Sequence, residues 1–139
     1  MRLISLELSG FDIIALGNTK YFKLTPTLDL QLIIGTNGSG KSSIINECSP
    51  LPPNKQDFSK GGFAVKVFED KGNIYELKSV FDTKQEHYFI KNGENLNVGR
   101  TVSVQKELVK QEFGITPEIH ELIMGREKFS SMAPAQRRY

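Results

Sequence analysis

The sequence predicts an α/β fold in which a mixed β-sheet is joined to an antiparallel β meander. Residues 2–9 alternate between apolar and polar side chains, which is the period of a half-buried strand. A continuous apolar run within 28–34 stops at Gly35, as in a strand covered on both faces, and a glycine-rich turn and a short helix follow. Period-two alternation then returns in three successive segments with short turns, which is typical of a meander.

The remaining elements follow from local signals. Strands are predicted over 2–9, 21–24 and 28–34, a helix over 41–48, an exposed loop over 51–62, strands over 63–68, 74–81 and 87–91, and helices over 101–113 and 118–124. The first helix ends before Pro50 because proline cannot continue a helix and biases its predecessor towards extended geometry. The dipeptide Asn92-Gly93 suits a tight turn after the third meander strand.

The two C-terminal helices have clear end signals. Gly114 is placed to end the helix over 101–113, because glycine adopts the left-handed conformation of a helix C-terminus. The predicted apolar face of that helix consists of Val104, Leu108, Val109 and Phe113. Thr116-Pro117-Glu118 then supplies a capping hydroxyl, a proline at the first helical position and an acid in the first turn, which together predict the start of the last helix.

Composition excludes several classes of protein. The 139 residues are 38% hydrophobic and 24% charged with a net charge of +2, which is typical of a single globular domain and argues against a wholly basic nucleic-acid-binding surface. No apolar run approaches the ~20 residues that span a bilayer, so no membrane association is expected. Cys48 is the single cysteine and the two histidines, His87 and His120, form no H-x-x-x-H pair, so neither a disulfide nor a zinc site is expected. We expect a cytoplasmic protein.

One motif indicates chemistry. Residues 35–42, Gly-Thr-Asn-Gly-Ser-Gly-Lys-Ser, fit G-x-x-x-x-G-K-[ST], the Walker A phosphate-binding loop, with a predicted strand before it and a helix after it. Its glycines let successive backbone N–H groups point at phosphate oxygens. The predicted ATP-binding residues are Gly35, Asn37, Gly38, Ser39, Gly40, Lys41, Ser42 and Ser43. Lys41 is predicted to lie between the β- and γ-phosphates, the Ser42 hydroxyl to ligate Mg²⁺, and Ser43 to contact the α-phosphate.

The rest of a hydrolytic site is incomplete in this sequence. Hydrolysis also needs a carboxylate that orients the magnesium shell, and in P-loop enzymes it ends an apolar strand. No such stretch follows residue 43; Glu69-Asp70 lies in a turn signal after an alternating strand and is rejected for this role. The sequence also lacks a Leu-Ser-Gly-Gly type signature. It therefore contains no complete set of catalytic residues.

Two segments carry a family resemblance. Residues 33–43, Ile-Ile-Gly-Thr-Asn-Gly-Ser-Gly-Lys-Ser-Ser, resemble the phosphate loop of the SMC-type ATPases. Residues 119–125, Ile-His-Glu-Leu-Ile-Met-Gly, followed by Phe129 to Arg138, resemble the region that leads into the coiled coil of SbcC-type DNA-repair ATPases, in particular the viral recombination endonuclease subunits. Met124 stands where many members of that family have a glutamine that contacts the metal and the attacking water.

The resemblance implies a function and partners. It implies that residues 1–139 form the N-terminal lobe of an ABC/SMC-type P-loop head, cut at the root of a coiled coil. It further implies an ATPase that binds ATP and Mg²⁺ between two heads of a homodimer and regulates an SbcD-type nuclease acting on DNA double-strand breaks. The C-terminal lobe of the head would supply the missing carboxylate and signature. The location implied is the cytoplasm, or the host cytoplasm for a viral protein.

Two other functions stay open, and several residues have weaker assignments. The chain could instead be a small self-contained P-loop kinase or GTPase, or a P-loop interaction module without turnover. Weaker candidates for contacts with phosphate, nucleotide or DNA are Asn18, Thr19, Lys20, Lys60, Lys106, Lys110, Arg137 and Arg138. His87 is expected to be structural, and Cys48 to fill a small apolar space.

Overall fold

The structure, a computed structural model, describes residues 1–12, 21–26 and 41–123, with only the backbone of 41, 42 and 123. Within these ranges the strands are β1 (Arg2–Phe11), β2 (Tyr21–Leu24), β3 (Phe58–Asp70), β4 (Asn73–Phe81), β5 (Gln85–Lys91) and β6 (Glu94–Asn95). The helices are α1 (Lys41–Glu47), α2 (Val102–Phe113) and α3 (Pro117–Ile123), with a 3₁₀ turn at Lys55–Asp57. The predicted strand over 28–34 lies outside the described residues.

The six described strands form one sheet in the order β2-β1-β3-β4-β5-β6, and every neighbouring pair is antiparallel. The prediction of a meander is confirmed by β3, β4 and β5. The meander does not form a separate sheet, because β1 pairs along β3, with Leu8 opposite Ala64. A mixed sheet stays a prediction, since a parallel strand would have to come from residues outside the described ranges.

The prediction of an exposed loop over 51–62 is only partly right. Residues 54–56 are exposed, but Pro50 and Pro53 are buried and β3 already begins at Phe58. The Phe58 ring packs on Phe11 and Phe81, at centroid distances of 5.2 and 4.7 Å. The prolines and glycines favour a surface loop, but the Phe58 ring, tilted against Phe11 and stacked on Phe81, fixes the position of the stretch.

Gly62 lies where the backbones of β3 and β1 approach each other closely. A Cβ atom on Gly62 would lie 2.8 Å from the carbonyl oxygen of Ser9 on β1 and 2.9 Å from that of Ser59. Such distances are well inside van der Waals contact, so any side chain at 62 would force the two strands apart. Glycine within a strand often marks such a contact between backbones.

Both helices with described core contacts lie on the same face of the sheet. One core cluster consists of Leu6, Leu8, Phe11, Ile44, Phe58, Ala64 and Phe81. The other consists of Phe68, Tyr75, Leu77, Phe89 and Val109. Helix α1 contributes Ile44 to the first cluster and α2 contributes Val109 to the second. Ala64 and Phe68 on β3 point inward into different clusters. Lys66 lies between them and, because side chains alternate along a strand, also points inward, at the place where the two clusters meet.

The predicted ends of α2 and the start of α3 are confirmed. Thr101 caps α2 by accepting a hydrogen bond from the backbone N–H of Val104, and Gly114 ends it with a φ of 70°. The predicted apolar face is wrong at Val104, which is 42% exposed. Gln105 takes the inward position instead, because its side-chain amide donates to the carbonyl oxygen of Tyr88 at 2.9 Å.

Candidate nucleotide-binding site

The predicted site residues fall only partly within the described residues. Gly35, Asn37, Gly38, Ser39 and Gly40 lie outside the described ranges, as do the weaker candidates Asn18, Thr19, Lys20, Arg137 and Arg138, and also Met124. Lys41, Ser42 and Ser43 form the first turn of α1, so a helix begins where the Walker A motif requires one. The contacts of these residues with ATP, and of Ser42 with Mg²⁺, stay predictions.

Helix α1 is anchored to the sheet by two inward residues one turn apart. Ile44 is 7% exposed and packs in the first core cluster, and Glu47, three residues later, is 3% exposed. Residues at this spacing share a helix face, so both side chains point to the sheet. The exposed residue between them, Ile45, lies on the outer side of α1. The helix that follows the phosphate loop is therefore held by one apolar contact and one buried charge.

The buried charge on α1 is compensated by a lysine from the sheet. The Nζ atom of Lys66 lies 3.2 Å from Oε2 of Glu47, and both side chains are at most 5% exposed. The same ammonium donates to the carbonyl oxygens of Ser49 and Leu51, each at 2.9 Å. One lysine thus satisfies a buried carboxylate and two carbonyls just beyond the end of α1. Since an unpaired buried charge costs several kcal/mol, roughly 3–5, this arrangement fixes the end of α1 against β3.

A second polar contact joins α1 to α3. The ring nitrogen Nε2 of His120 lies 2.8 Å from Oδ1 of Asn46, across 74 residues of sequence. Since the amide nitrogen of Asn46 faces the carboxylate of Glu47 at 3.5 Å, Oδ1 is the acceptor and Nε2 of His120 carries the proton. His120 is 8% exposed, so water competes little for this bond. The start of α3 is set by Thr116, whose hydroxyl accepts from the N–H of Ile119.

The end of α1 and the start of α3 meet around a cleft of about 340 Å³. Its lining includes Asn46, Glu47, Pro52, Asp57, Lys106 and His120. Burial raises the pKa of the Asp57 carboxyl, and the charges of Glu47 and Asp12 raise it further. The cleft therefore carries acidic and basic groups together, rather than the uniformly positive lining that favours nucleic-acid phosphates.

Other predicted residues take structural places. His87 is fully buried, with its two ring nitrogens 2.8 Å from the Ser79 hydroxyl and 2.7 Å from the Gln85 amide nitrogen. Burial, with a smaller contribution from the charge of Lys106, lowers the pKa of His87 to about 4. Cys48 packs against the first core cluster, and burial raises the pKa of its thiol. Both residues are structural, as predicted.

The acids rejected as the magnesium-orienting carboxylate have surface partners. Glu69 pairs with Arg2 at 3.1 Å, and Asp70 pairs with the N-terminal ammonium at 3.2 Å. Lys60 is exposed on β3 rather than in a loop. Among the described residues, no group of three His, Cys, Asp or Glu side chains could hold a metal ion. No helix in the described ranges is long and apolar enough to cross a membrane.

Four residues around α1 are not among those predicted from the sequence to form a site: Asn46, Glu47, Lys66 and His120. A signal for Lys66 was present, because residues 63–68 alternate and Lys66 shares the phase of Ala64 and Phe68. A lysine in the inward phase of a strand predicts a buried acid as its partner. Glu47, in phase with Ile44 on α1, was the matching acid. The contact between Asn46 and His120 had no local signal, since it depends on how α3 folds back to α1.

The sequence matches no family model, and a search of curated proteins finds no match. The resemblance to the SbcC-type ATPases therefore rests on the segments that carry it, residues 33–43 and residues 119–125 with 129–138.

Proposed function

We propose that the chain binds Mg-ATP through residues 35–43 and is the N-terminal half of the ATPase head of a DNA double-strand-break repair or recombination complex. The observation that carries the proposal is the complete Walker A motif followed by a helix that begins at its lysine, Lys41. The motif supplies backbone N–H groups, an ammonium and a hydroxyl in the order that a nucleoside triphosphate with Mg²⁺ needs.

The surroundings of α1 support a binding role for the segment before it. Phosphate binding requires a loop held in one shape, because each misplaced N–H loses its share of the interaction. Ile44 and the pair of Lys66 with Glu47 fix the helix that ends this loop. A buried, fully partnered lysine beneath the helix is consistent with a rigid support.

The proposed activity needs groups that the sequence lacks. An acid to orient the magnesium shell and a signature segment would come from a C-terminal lobe, and a second head would close over the nucleotide in a homodimer. DNA and an SbcD-type nuclease are the proposed partners, as the resemblance implies. The chain alone is therefore expected to bind Mg-ATP weakly and to turn it over negligibly.

Complementation tests the proposal. Steady-state ATP hydrolysis is measured for the chain alone and after addition of the C-terminal lobe of an SbcC-type head. We expect turnover only in the mixture, and its loss in Lys41→Ala. Ile45→Ala is the matched control, since Ile45 is an exposed residue on the same helix. Robust hydrolysis by the 139 residues alone would favour a compact kinase or GTPase, and binding without turnover in any mixture would favour an interaction module.

A further inference from the structure

We propose that Asn92 is a site of spontaneous deamidation, through a cyclic imide formed with Gly93, and that the fold holds this reaction back. The two residues form the turn between β5 and β6, both are exposed, and both have a positive φ, of 49° and 86°. The sequence Asn-Gly suits this turn because its central positions need a left-handed backbone. The chemistry is separate from the proposed binding of Mg-ATP, and water is its only co-reactant.

The reaction is possible because Gly93 has no side chain, which leaves its backbone nitrogen free to attack the neighbouring amide. This nitrogen forms a bond to Cγ of Asn92 and the bond from Cγ to Nδ2 breaks. The proton lost from the Gly93 nitrogen leaves with Nδ2 as ammonia. Water then opens the imide at either of its carbonyls, which gives aspartate or isoaspartate at position 92. Because the turn is exposed, water has access to the site.

Hydrogen bonds to the start of β4 hold the Asn92 side chain in the folded protein. Its Oδ1 accepts from the backbone N–H of Ile74 at 2.9 Å, and its Nδ2 donates to Oδ1 of Asn73, also at 2.9 Å. The backbone N–H of Asn92 donates to the carbonyl oxygen of Ile74 at 2.8 Å. Both polar atoms of the side-chain amide are therefore held by β4, and the amide cannot turn towards Gly93 until these bonds open.

The backbone conformation of Asn92 adds a second restraint. With a positive φ the residue lies in the left-handed region, where ψ is also positive. At such a ψ the nitrogen of Gly93 lies on the far side of the Cα–C bond from Cβ, so the imide cannot close without rotation about that bond. Turns open locally at a cost well below that of global unfolding. The rate of deamidation at Asn92 is therefore set by how often this turn opens.

The two products have different effects on the edge of the sheet. Aspartate at position 92 keeps an oxygen that accepts from the N–H of Ile74. Isoaspartate adds a methylene group to the backbone just before β6, which pairs with β5 only at Ile90 and Lys91. Isoaspartate is therefore expected to disturb this pairing more than aspartate does.

Incubation of the full chain at mildly alkaline pH, both folded and unfolded in guanidinium chloride, tests the proposal. Peptide mass spectrometry follows the conversion of amide to acid at position 92 and separates aspartate from isoaspartate. Because two side-chain hydrogen bonds must open before the imide closes, we expect conversion to be slower in the folded chain by at least about 5-fold. Conversion in the folded chain that is as fast as in the unfolded chain, or no conversion in the unfolded chain, would overturn the inference.

Variants at Asn73 test the restraint by the hydrogen bond itself. Asn73→Ala removes the acceptor of the Asn92 amide and is expected to speed conversion in the folded chain by about 2- to 10-fold. Asn73→Asp keeps an acceptor at this place and is expected to convert at the wild-type rate. In guanidinium chloride the three proteins are expected to convert alike, which separates an effect of the fold from one of the local sequence. An unchanged rate in folded Asn73→Ala, or equal acceleration in Asn73→Asp, contradicts restraint by this bond.

Discussion

Replacement of Lys66 by methionine removes the cation that compensates Glu47 while keeping most of the side-chain volume. The variant leaves a carboxylate with 5% side-chain exposure and the carbonyl oxygens of Ser49 and Leu51 without their donor. Breaking a buried ion pair at one partner costs about 3–5 kcal/mol. Since whole domains are stable by only about 5–15 kcal/mol, Lys66→Met is expected to lose a large part of the free energy of unfolding.

A double variant separates the cost of the unpaired charge from the cost of lost packing. Lys66→Met with Glu47→Leu removes both charges, and apolar replacement of a whole buried pair is often close to neutral. The two carbonyl oxygens still lack a donor, at a cost of about 1–3 kcal/mol each where they are buried. The double variant is therefore expected to recover part of the stability that Lys66→Met loses, and to remain below the wild type.

Urea unfolding at pH 7 measures these differences, with an unchanged m value as the check on two-state behaviour. Lys78→Met is the matched control, since Lys78 lies on the outer face of the neighbouring strand β4 and is only half-buried. That control is expected to change stability by less than about 1 kcal/mol. A loss below about 1 kcal/mol in Lys66→Met, or a double variant less stable than the single one, would refute the reasoning.

Two further predictions follow from buried positions in the sheet. The pKa of His87 is about 4 in the folded state against 6.5 for the free side chain. Above pH 6.5 the ring is neutral in both states, so the shift costs no stability there. Between pH 6.5 and about 4 the unfolded chain binds a proton that the folded protein does not, so stability falls as the pH falls. At about 1.4 kcal/mol per pH unit, unfolding between pH 7 and 4 should reveal up to roughly 3 kcal/mol of stability lost at His87, a pH dependence that is absent in His87→Asn; equal pH dependence in both proteins contradicts this. Gly62→Ala should destabilise by about 1–3 kcal/mol more than Gly99→Ala, because a Cβ at 62 meets backbone atoms within 3 Å whereas a Cβ at 99 meets only Thr101 at 3.8 Å; equal melting temperatures in the two variants contradict this.

Most strands could be predicted from the sequence because burial on one face of a sheet imposes a period of two. Residues 2–9, 74–81 and 87–91 carry that period, and β1, β4 and β5 match them within two residues at each end. The ends of α2 were also predictable, since the Thr101 hydroxyl caps its first turn and Gly114 adopts the left-handed conformation at its C-terminus. Strand periodicity and helix caps depend on neighbouring residues, so they can be predicted without knowledge of the tertiary fold.

The predictions for residues 51–62 and for the inward face of α2 were partly wrong because contacts between distant residues outweigh the local composition there. Phe58 and Gly62 sit in a stretch rich in proline and glycine, but an aromatic stack and a close approach to β1 make it structured. Gln105 faces inward on α2 because the backbone of Tyr88 offers a hydrogen-bond acceptor there. The hydrophobic pattern of a helix does not indicate a hydrogen-bond partner on another element. The bond between Asn46 and His120 could not be predicted for the same reason, because the two residues lie 74 positions apart.

A calorimetric titration of the chain with ATP in the presence of Mg²⁺ is the most direct test of nucleotide binding by residues 35–43. We expect saturable binding with one site per chain, dependent on Mg²⁺. Lys41→Ala should weaken it by about 10- to 100-fold, since a hydrogen bond to a charged group contributes about 1.5–3 kcal/mol. Ile45→Ala should bind as the wild type does. Absence of saturable binding by the wild type, or equal affinity in Lys41→Ala, would contradict a phosphate-binding role for the motif.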